Sequence, residues 1–292
     1  MGELRDRMVR DMDVRNFSGR TVEAYVAGVR GLAKYYRRAP DQLSDTEVQR
    51  YLLYLGEERK LSSSTRNQIR CALKFFYEVT LRRPQASLAI PPMRQAQKLP
   101  QILSREEVER ICAATRSLRE RVLLMAAYGG GLRVSEVVAL RPGDLDTERG
   151  VIRVEQGKGK KDRYTVLAER LVRELAQYYE VYGSPAHWVF AQRADATRHM
   201  DVASAQRIYT TAKRRAGVTK TGGIHALRHG FATHSIEAGV DLPTLGRMLG
   251  HTSVTTTMRY VHTTTKRVSA QISPLDRLLF TERRDSQPDA TK

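Results

Sequence analysis

The chain has 292 residues, 41% of them hydrophobic and 28% charged, which is ordinary for a soluble globular protein and suits about two domains, each able to bury its own core. Lys and Arg number 50 against 32 Asp and Glu, giving a formal charge of +18 and a pI near 10.2. That excess calls for a polyanion: either nucleic acid, whose phosphates many cations bind through counterion release, or an anionic membrane surface.

The amino-terminal MGELRDRMVR is charged where a secretory leader needs an apolar core, and Asp6 departs from the myristoylation pattern. No apolar run approaches the ~20 residues of a membrane span. Cys71 and Cys112 lie far apart without metal-type spacing, so neither a disulfide framework nor a zinc scaffold is expected, and the chain reads as cytoplasmic. From Glu3 to about Arg83, apolar residues recur three and four apart in TVEAYVAGVRGLAKYY, TEVQRYLLYL and RNQIRCALKFFYEV, which predicts four helices. Ser18, Ser44 and Ser62 to Ser64 stand at the expected N-caps.

The stretch RRPQASLAIPPMRQAQKLP holds four prolines and no helical period, and predicts an extended linker. Beyond it, Ser104 and Glu107 form a capping-box pattern, RERVLLMAAYGGGLRVSEVVAL reads as a helix, a glycine break and a second helix, and GVIRVEQGKGKKDRYTVL alternates on both sides of a Gly-Lys turn as a β-hairpin does. The remainder to about Phe280 is mainly helical, and TERRDSQPDATK has the composition of a disordered tail. Both the first hundred residues and the rest carry an excess of Lys and Arg, which suits a ligand held between two lobes.

Several side chains can do chemistry. His225 and Arg228 are three apart on a helix starting near residue 224 and share a face; taken alone, such a face is more often a solvated basic surface. Arg133 follows three glycines at a helix start, with Glu136 one turn on to orient its guanidinium; the glycines fit neither dinucleotide-binding nor P-loop spacing. Lys158 sits in a glycine-hinged hairpin tip from which it can reach a phosphate, although lysine-rich turns are commonly just solvated. Gly250 is placed to end a helix, His251 follows it, and Tyr260 lies on a threonine-rich segment that is a poor helix former. Metal ligation by His225, His229 and His234 is the rival reading, weakened by the lack of cysteine or acidic companions and by the adjacent Arg228.

In chain order, Arg133, Lys158, His225-x-x-Arg228, His251 and Tyr260 match the catalytic signature of the tyrosine recombinases of the phage-integrase type. The strings GLRVSE, GKGKKDR, HALRHGFATH and LGHTSVTTTMRYVH resemble the Xer-like branch of that family. The resemblance implies a mainly α fold with a small β-sheet (α+β): a helical, SAM-like core-binding domain over 1–84, a linker over 85–101, a catalytic domain with the DNA breaking-rejoining fold over 102–280 and a tail over 281–292. It implies a site-specific recombinase or integrase that cleaves and rejoins DNA through a 3′-phosphotyrosine, with no metal, ATP or other cofactor. Tyr260 would be the nucleophile and Arg133 and Arg228 the clamp on the non-bridging oxygens. His225 would accept the tyrosine proton, Lys158 would protonate the leaving 5′-oxygen, and His251 would hydrogen-bond the phosphate.

The implied partners are double-stranded DNA at a specific site and further copies of the chain, as a homotetramer on two duplexes. The need for a second, related recombinase stays open, as does the choice between chromosome-dimer resolution and integration, excision or transposition. Association with the nucleoid and no membrane partner are expected. The alternative is relaxation of DNA without strand exchange, in the manner of a type IB topoisomerase. The apolar positions of SAQISPLDRLLF suit packing on a neighbouring subunit or on their own domain.

Overall fold

A computed structural model of the chain describes residues 2–83, 101–155, 162–251 and 257–258. The chain divides into two units, Met1–Lys98 and Leu99–Lys292. Of the expected linker 85–101 only Gln101 lies among the described residues. Lys158, Tyr260, the segment 269–280 and the tail 281–292 lie outside them.

The first unit is helical: α1 (Gly2–Asp13), α2 (Gly19–Tyr36), α3 (Asp45–Glu57) and α4 (Ser63–Phe75), the last running into a π-helical turn, Phe76–Thr80. Ser18, Ser44 and Ser62 each accept the backbone N–H of the third residue beyond, and Glu47 closes a capping box on Ser44. Met8, Met12, Leu32, Val48, Leu52, Leu73, Phe76 and Tyr77 form its core. The buried Tyr77 hydroxyl donates to Pro40 O at 2.7 Å, so its polar end is satisfied.

The second unit holds α5 (Arg105–Ala113), α6 (Leu118–Gly129), α7 (Val134–Val138), a three-stranded sheet, α8 (Glu169–Tyr182), α9 (Val202–Arg215), α10 (His225–Glu237) and α11 (Leu242–Leu249). The capping box of Ser104 and Glu107 opens α5. The strands β1 (Leu145–Asp146), β2 (Val151–Val154) and β3 (Arg163–Val166) form an antiparallel meander in the order β1-β2-β3, with Ile152 opposite Thr165 and Val154 opposite Arg163. α10 is buried on nearly every side, so its mixed sequence has no polar face. Among the described residues no helix is long and apolar enough to cross a membrane.

Two glycines shape the backbone at α7 and at the end of α11. Gly131 has φ +59°, and a Cβ there would lie 2.3 Å from the Phe231 ring, so the turn between α6 and α7 requires glycine. Gly250 has φ +64° and ends α11 in the left-handed conformation, with its N–H bonded to Arg247 O and that of His251 bonded to Gly246 O.

Candidate active site

Arg133 caps the start of α7, where its backbone N–H donates to Glu136 Oε2 at 2.7 Å and its Nη1 donates to Glu136 Oε1 at 2.7 Å. The carboxylate that caps the helix therefore also aims the guanidinium. Arg163, from β3, meets the same carboxylate with both arms, Nη1 to Oε1 at 2.9 Å and Nη2 to Oε2 at 2.7 Å. Arg228, on the first turn of α10, brings Nη1 to 3.9 Å from Oε2. Three guanidiniums thus surround one carboxylate.

Further acceptors for them come from the end of α11. Its last carbonyls have no partner within the helix and carry the negative end of the helix dipole. Met248 O accepts from Arg163 Nε at 2.8 Å, Leu249 O from Arg228 Nη2 at 2.6 Å, and Gly250 O from Arg133 Nη2 at 3.5 Å. Arg228 Nη1 also donates to Gly131 O at 2.7 Å, which ties the glycine turn to the same cluster.

His251 follows directly. Its Nε2 lies 3.4 Å from Arg228 Nη2 and its Nδ1 lies 2.9 Å from Thr257 Oγ1. A guanidinium only donates, so Nε2 is the acceptor in this contact and Nδ1 carries the proton toward Thr257; the threonine hydroxyl can serve the opposite tautomer equally well. His225 stands at the exposed first position of α10, its ring 4.8 Å from that of His229.

Arg133, Arg228 and His251 therefore meet on one cluster, with His225 three residues before Arg228 on the first turn of α10, while Lys158 and Tyr260 lie outside the described residues. A solvated basic face does not describe Arg228, whose side chain is only 2% exposed. Among the described residues no group of His, Cys, Asp or Glu is arranged to hold a metal ion.

The Phage integrase family matches residues 101–267, and the phage integrase N-terminal SAM-like domain matches residues 4–87. The chain belongs to the phage integrase family. It is an Xer-like tyrosine recombinase, 38% identical to the integrase/recombinase y4qK of Sinorhizobium fredii over 95% of this chain and 90% of that one. It is 33% identical to the tyrosine recombinase XerA of Thermococcus kodakarensis over 87% and 88% of the two chains. A lambda integrase tetramer bound to a Holliday junction shares its fold, with a TM-score of 0.73 at 18% identity over 89% of this chain and 76% of that one.

The electrostatics of the recombinase cluster arise from its contacts. Burial would raise the Glu136 pKa, but the bonds and charge of Arg163, then those of Arg133, outweigh it and hold the carboxylate at about 2. Partial withdrawal from water, then the charges of Arg228 and Arg133, lower the pKa of His225. Burial, then His225 and Arg228, bring His229 down to about 4. Both imidazoles are neutral at pH 7.

A histidine held below its unfolded pKa contributes stability that is present above pH 6.5 and lost as pH falls toward the folded value. Unfolding free energy should therefore drop by up to about 3 kcal/mol between pH 6.5 and 4, with His229 the main contributor. Denaturant titrations across that range should show the slope, and His229→Gln should flatten it. Below that window Glu136 adds a second loss as pH falls from 4.5 toward about 2.

Two participants go beyond the signature residues: Glu136 enters the sequence reading as the orienter of Arg133, and Arg163 stands only within the string GKGKKDR, with no role assigned. The signal for Glu136 is its place three residues after a helix cap. Arg163 has one too, as a charged residue at an alternating position of an expected strand, but the phase of that alternation hides it.

Proposed function

We propose that the protein is a site-specific DNA recombinase that cuts and rejoins strands through Tyr260. The observation that supports this most is the convergence of Arg133, Arg228 and His251 on one helix end, in a chain of net charge +18. Its family membership and the DNA-bound state of the lambda integrase tetramer support DNA as partner and a tetramer as the working assembly. Relatives named recombinase and integrase favour strand exchange over relaxation alone.

In this reading the Tyr260 oxygen attacks the scissile phosphorus, the bond from phosphorus to the 5′-oxygen breaks, and a 3′-phosphotyrosine forms. A 5′-hydroxyl, protonated by Lys158, departs and is free to attack a second phosphotyrosine in the reverse sense. One phosphodiester replaces another, so the strand is resealed without an external energy source.

A free phenol has a pKa near 10, so ionising it at pH 7 costs about 4 kcal/mol. His225, held neutral, can accept that proton. Arg133 and Arg228 stabilise the charge that builds on the non-bridging oxygens; a preorganised donor of this kind contributes roughly 2.7 to 4 kcal/mol, well above the ~0 to 1 kcal/mol of a surface ion pair. His251 gives a further hydrogen bond from Nε2 once Thr257 takes the donor role toward Nδ1.

The test is to incubate the protein with DNA from the flanks of its own gene, in excess EDTA, and to map any covalent adduct. Expected is Tyr260 joined to a 3′-phosphate opposite a free 5′-hydroxyl. An adduct through a 5′-phosphate or another residue, or cleavage that only magnesium restores, would overturn the reading.

A further inference from the structure

Strand β3 presents its faces in reverse of what hydrophobicity dictates. Arg163 and Thr165 point inward and are buried, whereas Tyr164 and Val166 point outward, 60% and 37% exposed. A slip of one residue in register would exchange the two faces and bury the apolar pair. Something specific therefore holds the strand in this register, and both inward residues name it. Thr165 Oγ1 donates to Gly130 O at 2.8 Å, in the glycine turn ahead of Arg133. Arg163 commits both arms to Glu136 and its Nε to Met248 O. Its stem fills the space beside Gly250, where a Cβ would stand 2.8 Å from Arg163 Cδ.

This arrangement has an electrostatic consequence. Glu136 is shared by three cations, and the paired arms of Arg163 hold both of its oxygens. Arg133 then makes one side-chain contact to the carboxylate, at 2.7 Å. Without Arg163, the carboxylate would be free to close on Arg133 with both oxygens and to neutralise the charge meant for a phosphate. The turn carrying His251 would lose one hydrogen-bonded tie to the sheet at the same time.

We infer that Arg163 is a positioning residue for strand cleavage: it fixes the carboxylate that aims Arg133 and anchors the turn from which His251 projects, without touching DNA itself. The inference rests on the strand-cleavage reading of this site.

Two variants of the full-length protein test it. Arg163→Met keeps much of the apolar stem and removes the fork, and Arg163→Lys keeps the charge without the fork. Each is compared with wild type for thermal midpoint, DNA affinity and single-turnover cleavage of a nicked trapping substrate at saturating protein. Cleavage should slow by roughly 10- to 100-fold, as for partners that orient a primary catalytic group, with DNA affinity changed by less than about threefold. Lysine should recover little, because it cannot hold both carboxylate oxygens.

Coupling to Arg133 separates positioning from general support of the fold. In an Arg133→Ala background the further loss from Arg163→Lys should shrink to a few-fold, since the group being aimed is gone and only the anchoring of the His251 turn is left to lose. An undiminished loss in that background, or wild-type cleavage rates in both single variants, would overturn the inference. If Arg163→Met does not fold, the cycle built on Arg163→Lys decides the matter alone. Wild-type protein that forms no adduct would sink the strand-cleavage reading itself, a result distinct from wild-type adduct formation that is insensitive to Arg163.

Discussion

Tyr260→Phe is expected to bind its DNA site with unchanged affinity and to form no covalent adduct, with cleavage reduced by roughly 10⁴-fold or more, as when a nucleophile is deleted from an enzyme that has no alternative one. Phenylalanine keeps the ring and loses only the oxygen. Gel-shift and adduct assays on one preparation separate the two properties. A persisting adduct would transfer the nucleophile role elsewhere and leave the six-residue signature without its reacting atom. Loss of DNA affinity alongside cleavage would show that the phenol serves recognition instead.

Arg228→Ala should produce the second largest effect, because the residue does two things at once. Its proposed contact with the non-bridging oxygens predicts a loss of roughly 10²- to 10³-fold in cleavage rate. Its bonds to Gly131 O and Leu249 O are also lost, and leaving such carbonyls buried without a donor costs about 1 to 3 kcal/mol each. Denaturant midpoints and single-turnover rates measured together should both fall. Arg228→Lys sharpens the test: it returns a positive charge but cannot reach two carbonyls and a phosphate from one planar group, so the rate should stay near that of alanine. A lysine variant with near wild-type activity would mean that charge alone matters at this position.

Much of the fold was legible because its determinants are local. Ser18, Ser44, Ser62 and Ser104 announce helix starts through a side-chain oxygen three residues from the amide it caps, and Gly250 announces a helix end through a left-handed conformation. The β-hairpin was readable from alternation, but its facing was not: apolarity puts Tyr164 and Val166 inside, and the requirement of Glu136 for a second cation puts Arg163 there instead.

The candidate residues were nominated through a resemblance, since Arg133, His225, Arg228 and His251 sit on three separate helix termini and no periodicity links them. What the sequence left unreadable is the part played by the main chain. Met248, Leu249 and Gly250 contribute carbonyl oxygens, which every residue type possesses, so nothing in their side chains marks them.

Those three adjoining carbonyls give the recombinase a common datum. Arg133, Arg163 and Arg228 arrive from a glycine turn, a strand and a helix, yet each is indexed to a successive peptide unit of one helix end. Adding or deleting a single residue between Leu245 and His251 would rotate that end by about 100° and put every acceptor out of step together. Sequence length should thus be far less tolerant of change in this last turn than in the loop between α8 and α9, and grafts that exchange parts between related recombinases should place their junctions outside it.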